Sequence, residues 1–135
     1  MIVKSAQNSN YFFIFKTTRS GSSGGKIATL RRGHKGSVFC LALNADAIVS
    51  GSFDHSVCVW DRQANGKFPL IARLNKRDER HTDMIYGVAI NIFNQIVSSS
   101  HDSSISVWQY HKQNVSCHII QTNIFLFQCY NIRVE

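Results

Sequence analysis

Proline is all but missing from this chain: Pro69 is the single instance in 135 residues. With so few backbone breakers, the Val-, Ile- and Phe-rich runs can extend, and their composition favours strands over helices. No run reaches the roughly 18 consecutive apolar residues of a membrane-spanning helix, which excludes the helical membrane class. The first residues carry Lys4 and a short apolar patch, Tyr11 to Phe15, without a long apolar core and a small-residue cleavage site. A secretory leader is therefore not expected. The four cysteines, Cys40, Cys58, Cys117 and Cys129, form no Cys-x-x-Cys pair, so no redox or zinc-knuckle motif is present. His111, Cys117, His118 and Cys129 lie close together, but their intervals fit no standard zinc arrangement. No metal and no cofactor is expected. Acidic residues are also few, eight against fifteen Lys and Arg, for a net charge of +7.

What the chain does have is a repeat. Ile48-Val49-Ser50-Gly51-Ser52-Phe53-Asp54-His55-Ser56-Val57-Cys58-Val59-Trp60-Asp61 reads as two strands joined by a tight polar turn. Ile96-Val97-Ser98-Ser99-Ser100-His101-Asp102-Ser103-Ser104-Ile105-Ser106-Val107-Trp108 repeats it about 48 residues later. Both tryptophans of the chain fall on the last matching position. Self-similarity at a period of 40–50 residues is the mark of a repeat architecture.

The rest of the chain is read around that pattern. Residues 1–25 form an N-terminal segment, polar at first, with a strand at about 11–15. Residues 26–32 supply the last strand of a partial unit, in which Phe15 stands where Trp60 stands later. The first full unit spans 33–80, with strands at Ser37 to Leu43, Ala47 to Ser52, Ser56 to Asp61 and Phe68 to Leu74. The second spans 81–121, with its first strand at Met84 to Ile90, one extra residue in the turn Asn91 to Gln95, and its fourth strand at Val115 to Gln121. Short strands with turns every eight to twelve residues fit antiparallel sheets. Residues 122–135 form an irregular apolar tail. Aligning the units puts Gly87 opposite Cys40 and Ser106 opposite Cys58, so these cysteines read as space-fillers. Reduced thiols place the chain inside the cell, in cytoplasm or nucleus.

Gly33-His34, Val38, Ser50-Gly51-Ser52-Phe53-Asp54 and Val57-Cys58-Val59-Trp60-Asp61 together resemble the WD-repeat β-propeller family. The second copy is looser, with Arg80 before His81 and Gln109 after Trp108. The resemblance, over about residues 26–121, implies an all-β fold: an incomplete β-propeller of two full four-stranded antiparallel blades plus part of a third. Propellers close with four to eight blades, so the chain is expected to be a fragment of a longer propeller or to assemble with other copies. The resemblance further implies structural hydrogen-bond networks, His34–Ser50–Asp54–Trp60 and His81–Ser98–Asp102–Trp108, that satisfy polar atoms buried between sheets. Counting does not choose between Ser50 and Ser52; Ser50 and Ser98 are preferred.

His, Ser and Asp together also suggest a hydrolase, but no Gly-x-Ser-x-Gly elbow is read in the chain, and the Trp completes the structural reading. The resemblance implies a non-catalytic scaffold that binds a protein or peptide on the loop face, through Ser37, Phe39 and Phe53 and through Met84, Tyr86 and His101. Phe39 and Tyr86 serve equally well as core residues, whereas a turn position such as Phe53 has little reason to be apolar without a partner. The alternative is a nucleic-acid-associated basic module, motivated by the net charge. The basic residues read as scattered, with one cluster, Arg73 to Arg80, whose plainer reading is a solvated loop. No membrane partner is expected.

Overall fold

The computed structural model describes residues 1–74, 81–113 and the strand 116–121. Among the described residues every regular element is a strand, and none is a helix long and apolar enough to cross a membrane. Three antiparallel sheets follow one another along the chain. The first is β1 (Ile2–Ser5), β2 (Phe12–Thr17) and β3 (Ser23–Leu30), in that order. The second is β4 (Val38–Leu43), β5 (Ala47–Ser52), β6 (Val57–Asp61) and β7 (Leu70–Leu74). The third is β8 (Ile85–Ile90), β9 (Gln95–Ser100), β10 (Ile105–His111) and β11 (Ser116–Gln121).

β1 falls where the sequence reads as polar. Four residues are too few to show a period; Ile2 to Ser5 become a strand because they pair with Phe15 to Phe12 of β2. Likewise β3 begins at Ser23 rather than Lys26, since Ser23 pairs with Thr17 across the hairpin. Contrary to the expectation that the chain has no Gly-x-Ser-x-Gly stretch, Gly21-Ser22-Ser23-Gly24-Gly25 spells one, but it leads from a hairpin turn into this strand and not into a helix, so it is no nucleophile elbow.

The sheets stack face to face. β5 and β6 are buried along their whole length, every residue of both, because a neighbouring sheet covers each face. That double burial removes the apolar–polar alternation an edge-exposed strand would show. One core, Phe12, Ile14, Leu30, Val38, Ile48, Cys58 and Trp60, joins the first sheet to the second. The other, including Val49, Val57, Val59, Ile85, Ile96, Trp108 and Tyr110, joins the second to the third. Each tryptophan thus faces the preceding sheet. On the far side of the third sheet Val97 is 39% exposed, while its counterpart Val49 is fully buried.

Candidate docking face and the networks that hold it

Two turns at one end of the stack carry the same backbone device. His55 in the β5–β6 turn and Ser103 in the β9–β10 turn both sit at φ 66°, left-handed backbone that non-glycine residues rarely adopt. The preceding aspartates close the turns: Asp54 Oδ1 accepts the Ser56 N–H at 3.0 Å, and Asp102 Oδ1 that of Ser104 at 2.8 Å. Asp side chains bonded two residues ahead stabilise this geometry locally.

Beneath each turn lies a chain of hydrogen bonds whose protons can be assigned by counting. Trp60 Nε1–H donates to Ser50 Oγ at 3.0 Å, and Ser50 Oγ lies 2.7 Å from His34 Nε2. His34 Nδ1 is 3.0 Å from Ser56 Oγ and 3.3 Å from Asp54 Oδ1, while Ser56 Oγ–H reaches Asp54 Oδ1 at 2.5 Å. Since Ser56 gives its one proton to the carboxylate, it accepts from His34 Nδ1–H; Ser50 then donates to the bare Nε2. The direction runs from Trp60 to Ser50 to His34 to Ser56 to Asp54 without a missing or surplus proton. The second unit repeats it: Trp108 to Ser98 at 3.0 Å, Ser98 to His81 at 2.8 Å, His81 to Ser104 at 2.8 Å, and Ser104 to Asp102 at 2.5 Å. Ser52 lies outside the chain and donates to the Gly36 carbonyl at 3.0 Å. Ser56 and Ser104 are members that sequence reasoning missed; only their place two residues after the turn Asp hinted at them.

The electrostatics follow from this bonding. Burial by itself would raise the Asp54 pKa, but hydrogen bonds from His34, Ser56 and the Lys35 N–H outweigh it and hold the carboxyl well below the usual range. Asp102 is likewise brought down to about 2 by Ser104 and the Thr82 N–H, against burial. Burial lowers the His81 pKa below 6.5, with Asp102 opposing. Arg73, grouped by sequence with a basic loop, lies in β7 and donates to Asp54 Oδ2 at 2.8 Å. Ser50, Ser56 and Ser98 have no exposure at all, whereas Ser104 of the second network is half-buried. Cys58 is buried against the Gly33 carbonyl at 3.2 Å, and burial pushes its thiol up to about 12. Cys40 is raised to about 11 for the same reason; both are free thiols.

These shifts give stability a pH dependence of definite sign. The unfolded chain takes up a proton on histidine near pH 6.5 before buried His81 does, and on carboxylate near 3.8 before Asp102 does. Acid therefore favours unfolding. The melting temperature is expected to hold between pH 6.5 and 9.0, to fall above that as the unfolded thiols ionise before Cys40 and Cys58 do, to start falling as pH drops through 6.5, and to fall further between 3.8 and about 2. Circular dichroism melts at constant ionic strength check this; a His81→Gln variant should lose the limb that starts at pH 6.5 and keep the others.

Around the turns sits a rim of exposed side chains. Phe39, Phe53 and Tyr86 are 47%, 51% and 56% exposed, which removes the core reading of Phe39 and Tyr86. Phe39 meets Phe53 edge to face at 6.2 Å, and Tyr86 meets His101 at 5.6 Å in the equivalent place. Ser37 and Met84 are half-buried and act through their backbones: the Ser37 carbonyl accepts the Phe53 N–H at 2.9 Å, and that of Met84 the His101 N–H at 3.0 Å. His101 Nδ1 bonds Asp83 Oδ2 at 2.9 Å, and this bond is the main cause lowering the Asp83 pKa; His55 of the neighbouring turn adds to it.

The opposite end is clamped by contacts the sequence did not suggest. Asp61 Oδ1 accepts from Tyr110 Oη at 2.8 Å and pairs with Lys112, which also donates to the Arg62 carbonyl at 2.7 Å. Asn44 Nδ2 reaches the Asn91 carbonyl at 2.7 Å and Asn94 Oδ1 at 2.6 Å. Burial would raise the Asp61 pKa, but the bonds from Lys112 and Tyr110 lower it on balance. The aspartate after Trp60 therefore locks the second sheet to the third, and Gln109 takes its place where the third sheet has no described successor. Among the described residues no three His, Cys, Asp or Glu side chains gather as a metal site. Cys129 and the tail from 122 lie outside the described residues, as do residues 75–80 and the side chains of Cys117 and His118.

Stacked four-stranded antiparallel sheets, buried Trp–Ser–His–Asp networks and an exposed rim of turns define blades of a β-propeller. The chain belongs to the WD40 family: the description "WD domain, G-beta repeat" matches residues 24–61 and 73–109, more than half of it. It is 33% identical over 76 residues to an F-box/WD-40 repeat-containing protein of Arabidopsis thaliana, covering 56% of this chain and 12% of that one. It is also 33% identical over 79 residues to cell division control protein 4 of Candida albicans, covering 58% and 11%. A solved structure of U3-55K superposes with a TM-score of 0.64 at 21% identity, over 90% of this chain and 35% of that one. The chain thus spans about a tenth of the length of these curated relatives.

Proposed function

We propose that the chain is a non-catalytic interaction module that docks a peptide or protein segment across the rim formed by Ser37, Phe39, Phe53, Met84, Tyr86 and His101. The observation that carries this reading is the pair of exposed aromatic contacts, Phe39–Phe53 and Tyr86–His101, set at equivalent positions of two adjacent blades. Large rings on rigid supports offer contact area with little conformational entropy to lose. Rigidity is supplied from below, since each turn is tied to a buried network and to the neighbouring strand. Whole propellers need further blades, so the working unit includes either more of a longer chain or other copies of this one.

The test begins with peptides selected on the wild-type chain from a random library. The double variant Phe53→Ala/Tyr86→Ala is expected to bind the selected peptide about 30-fold more weakly or worse, with an unchanged melting temperature. Ile92→Ala, at the far end of β8 and 82% exposed, should bind as the wild type. Selected peptides indifferent to the double variant would refute the rim as the docking face.

A further inference from the structure

The two corners of the rim are built alike and charged differently. Lys35 N–H donates to Asp54 Oδ2 at 2.7 Å, and Thr82 N–H to Asp102 Oδ2 at 2.7 Å. Those bonds put Lys35 and Thr82 at equivalent places, and with them Gly36 and Asp83, Phe53 and His101, Phe39 and Tyr86. The first corner thus has an ammonium where the second has a hydroxyl. It has no side chain where the second has a carboxylate.

The surroundings of Lys35 are poor in negative charge. The first acidic residue of the chain is Asp46, so the connection from β3 to β4 brings Arg31, Arg32 and Lys35 from a stretch without a carboxylate. All three are exposed. Arg31 lies over the Tyr11 ring at 4.1 Å. Among the described residues no carboxylate pairs with the Arg32 or Lys35 side chain. The aspartates at this end are engaged elsewhere. Asp54 Oδ1 accepts the Ser56 N–H and hydroxyl, and its Oδ2 accepts the Lys35 N–H and Arg73. Asp102 Oδ1 accepts the Ser104 N–H and hydroxyl, and its Oδ2 the Thr82 N–H. Asp83 is bonded to the His101 ring and to the Met84 N–H at 2.7 Å.

The cation and the aromatic pair are held together. A Cβ on Gly36 would lie 3.3 Å from Phe53 Cβ, so the chain just after Lys35 runs against the Phe53 turn. Lys35 leaves the backbone there on a flexible four-carbon stem. Phe39 and Phe53 meet at 83°, which leaves an apolar corner that fits one side chain, not a row of open platforms that fits stacked bases. At the second corner an approaching carboxylate would meet a like charge in Asp83, itself half-buried.

We propose, resting on the reading of the rim as a peptide-docking face, that its partner is an acidic peptide segment. An apolar side chain of the peptide sits on Phe39 and Phe53, and an adjacent Asp or Glu meets Lys35, with Arg32 adding to the field. The peptide is held with its acidic part toward the first blade, because Asp83 repels it from the second. A single exposed ion pair adds little affinity. The rings therefore supply most of the binding, and the cations select among sequences and speed encounter.

The experiment selects peptides from a random library on the full chain, wild type and Lys35→Glu in parallel. Wild-type selections are expected to enrich Asp and Glu beside an apolar residue by about three-fold or more, the discrimination one exposed ion pair gives. Lys35→Glu selections should lose that excess and favour Lys and Arg. By fluorescence anisotropy, a labelled wild-type-selected peptide should bind Lys35→Glu about ten-fold more weakly, since like charges are then juxtaposed. The same peptide with its acidic residues changed to Lys should prefer Lys35→Glu over the wild type. Should Lys35→Glu fail to fold, Arg32→Gln/Lys35→Gln decides, with an expected loss of about three-fold or more. Selected peptides that need Phe53 and Tyr86 but show no acidic excess and ignore Lys35→Glu overturn this proposal and leave the docking face standing. Peptides indifferent to Phe53→Ala/Tyr86→Ala remove the face, and the proposal with it. An oligouridylate of about 12 nucleotides that binds as tightly as the selected peptide also overturns it, by making phosphate the preferred anion.

Discussion

Replacing Trp60 by alanine is expected to lower stability by about 3–5 kcal/mol, the cost of emptying a large buried side chain from a core that cannot fully collapse. Trp60 is 4% exposed and meets Phe12 of the first sheet edge to face at 5.5 Å. It also fills the space over Gly33, where an added Cβ would lie 2.4 Å from the indole. The ring thus packs between β1–β3 and the second sheet. It is also one end of the Trp60–Ser50–His34–Ser56–Asp54 chain, so its loss leaves the Ser50 oxygen without its donor. Trp60→Phe separates the two effects. It retains most of the packing and should cost about 1–3 kcal/mol, the price of an unfilled buried acceptor and a smaller cavity. Chemical denaturation of the three chains tests this; an alanine variant as stable as the wild type would mean the indole is not buried in solution.

Introducing valine at Gly51 is expected to destabilise by about 3 kcal/mol, the upper part of the range for overpacking. A Cβ there would come within 2.6 Å of both Cys40 Sγ and Ile85 Cγ2. Cys40 is on the neighbouring strand and Ile85 begins the next blade, so the substitution wedges blade from blade. The third sheet shows the same rule with the sizes exchanged. Gly87 stands opposite Cys40 and Ser99 opposite Gly51, and a Cβ on Gly87 would meet Ser99 Oγ at 2.9 Å. A double-mutant cycle isolates the contact: Gly51→Ala should cost at least about 1 kcal/mol less in an Ile85→Ala background, where the contact with Cγ2 is gone while those with Cys40 Sγ and the Cβ at position 85 remain. Equal costs in both backgrounds would place the strain elsewhere.

Much of the fold was readable because it is local and stated twice. Ser50, Asp54 and Trp60 fall within one strand–turn–strand unit, and the repeat at Ser98, Asp102 and Trp108 separates pattern from coincidence. β5 and β6 read as strands because a run such as Val57-Cys58-Val59 is apolar without alternation. β1 was missed because Ile2 to Ser5 are too short to show any period and owe their conformation to β2. The role of Asp61 was not legible: the letter belongs to the signature, but its partners Tyr110 and Lys112 lie 49 and 51 residues on. That Lys4, Lys26 and Arg31 lie over Phe15, Phe13 and Tyr11 was not legible either, because only the pairing of β1, β2 and β3 brings these cations to those rings.

The sequence by itself determined the strands of the two repeats, the two signature turns and the Trp, Ser, His and Asp of each network, though not Ser56 and Ser104 between His and Asp, since turn chemistry and short-range hydrogen bonding act within a few dozen residues. Only the tertiary structure decided which aromatic rings are covered and which are offered. Phe12 and Phe13 are neighbours of identical chemistry, yet one packs against Trp60 and the other lies beneath Lys26, because side chains alternate across the strand and the second sheet stands on the Phe12 face.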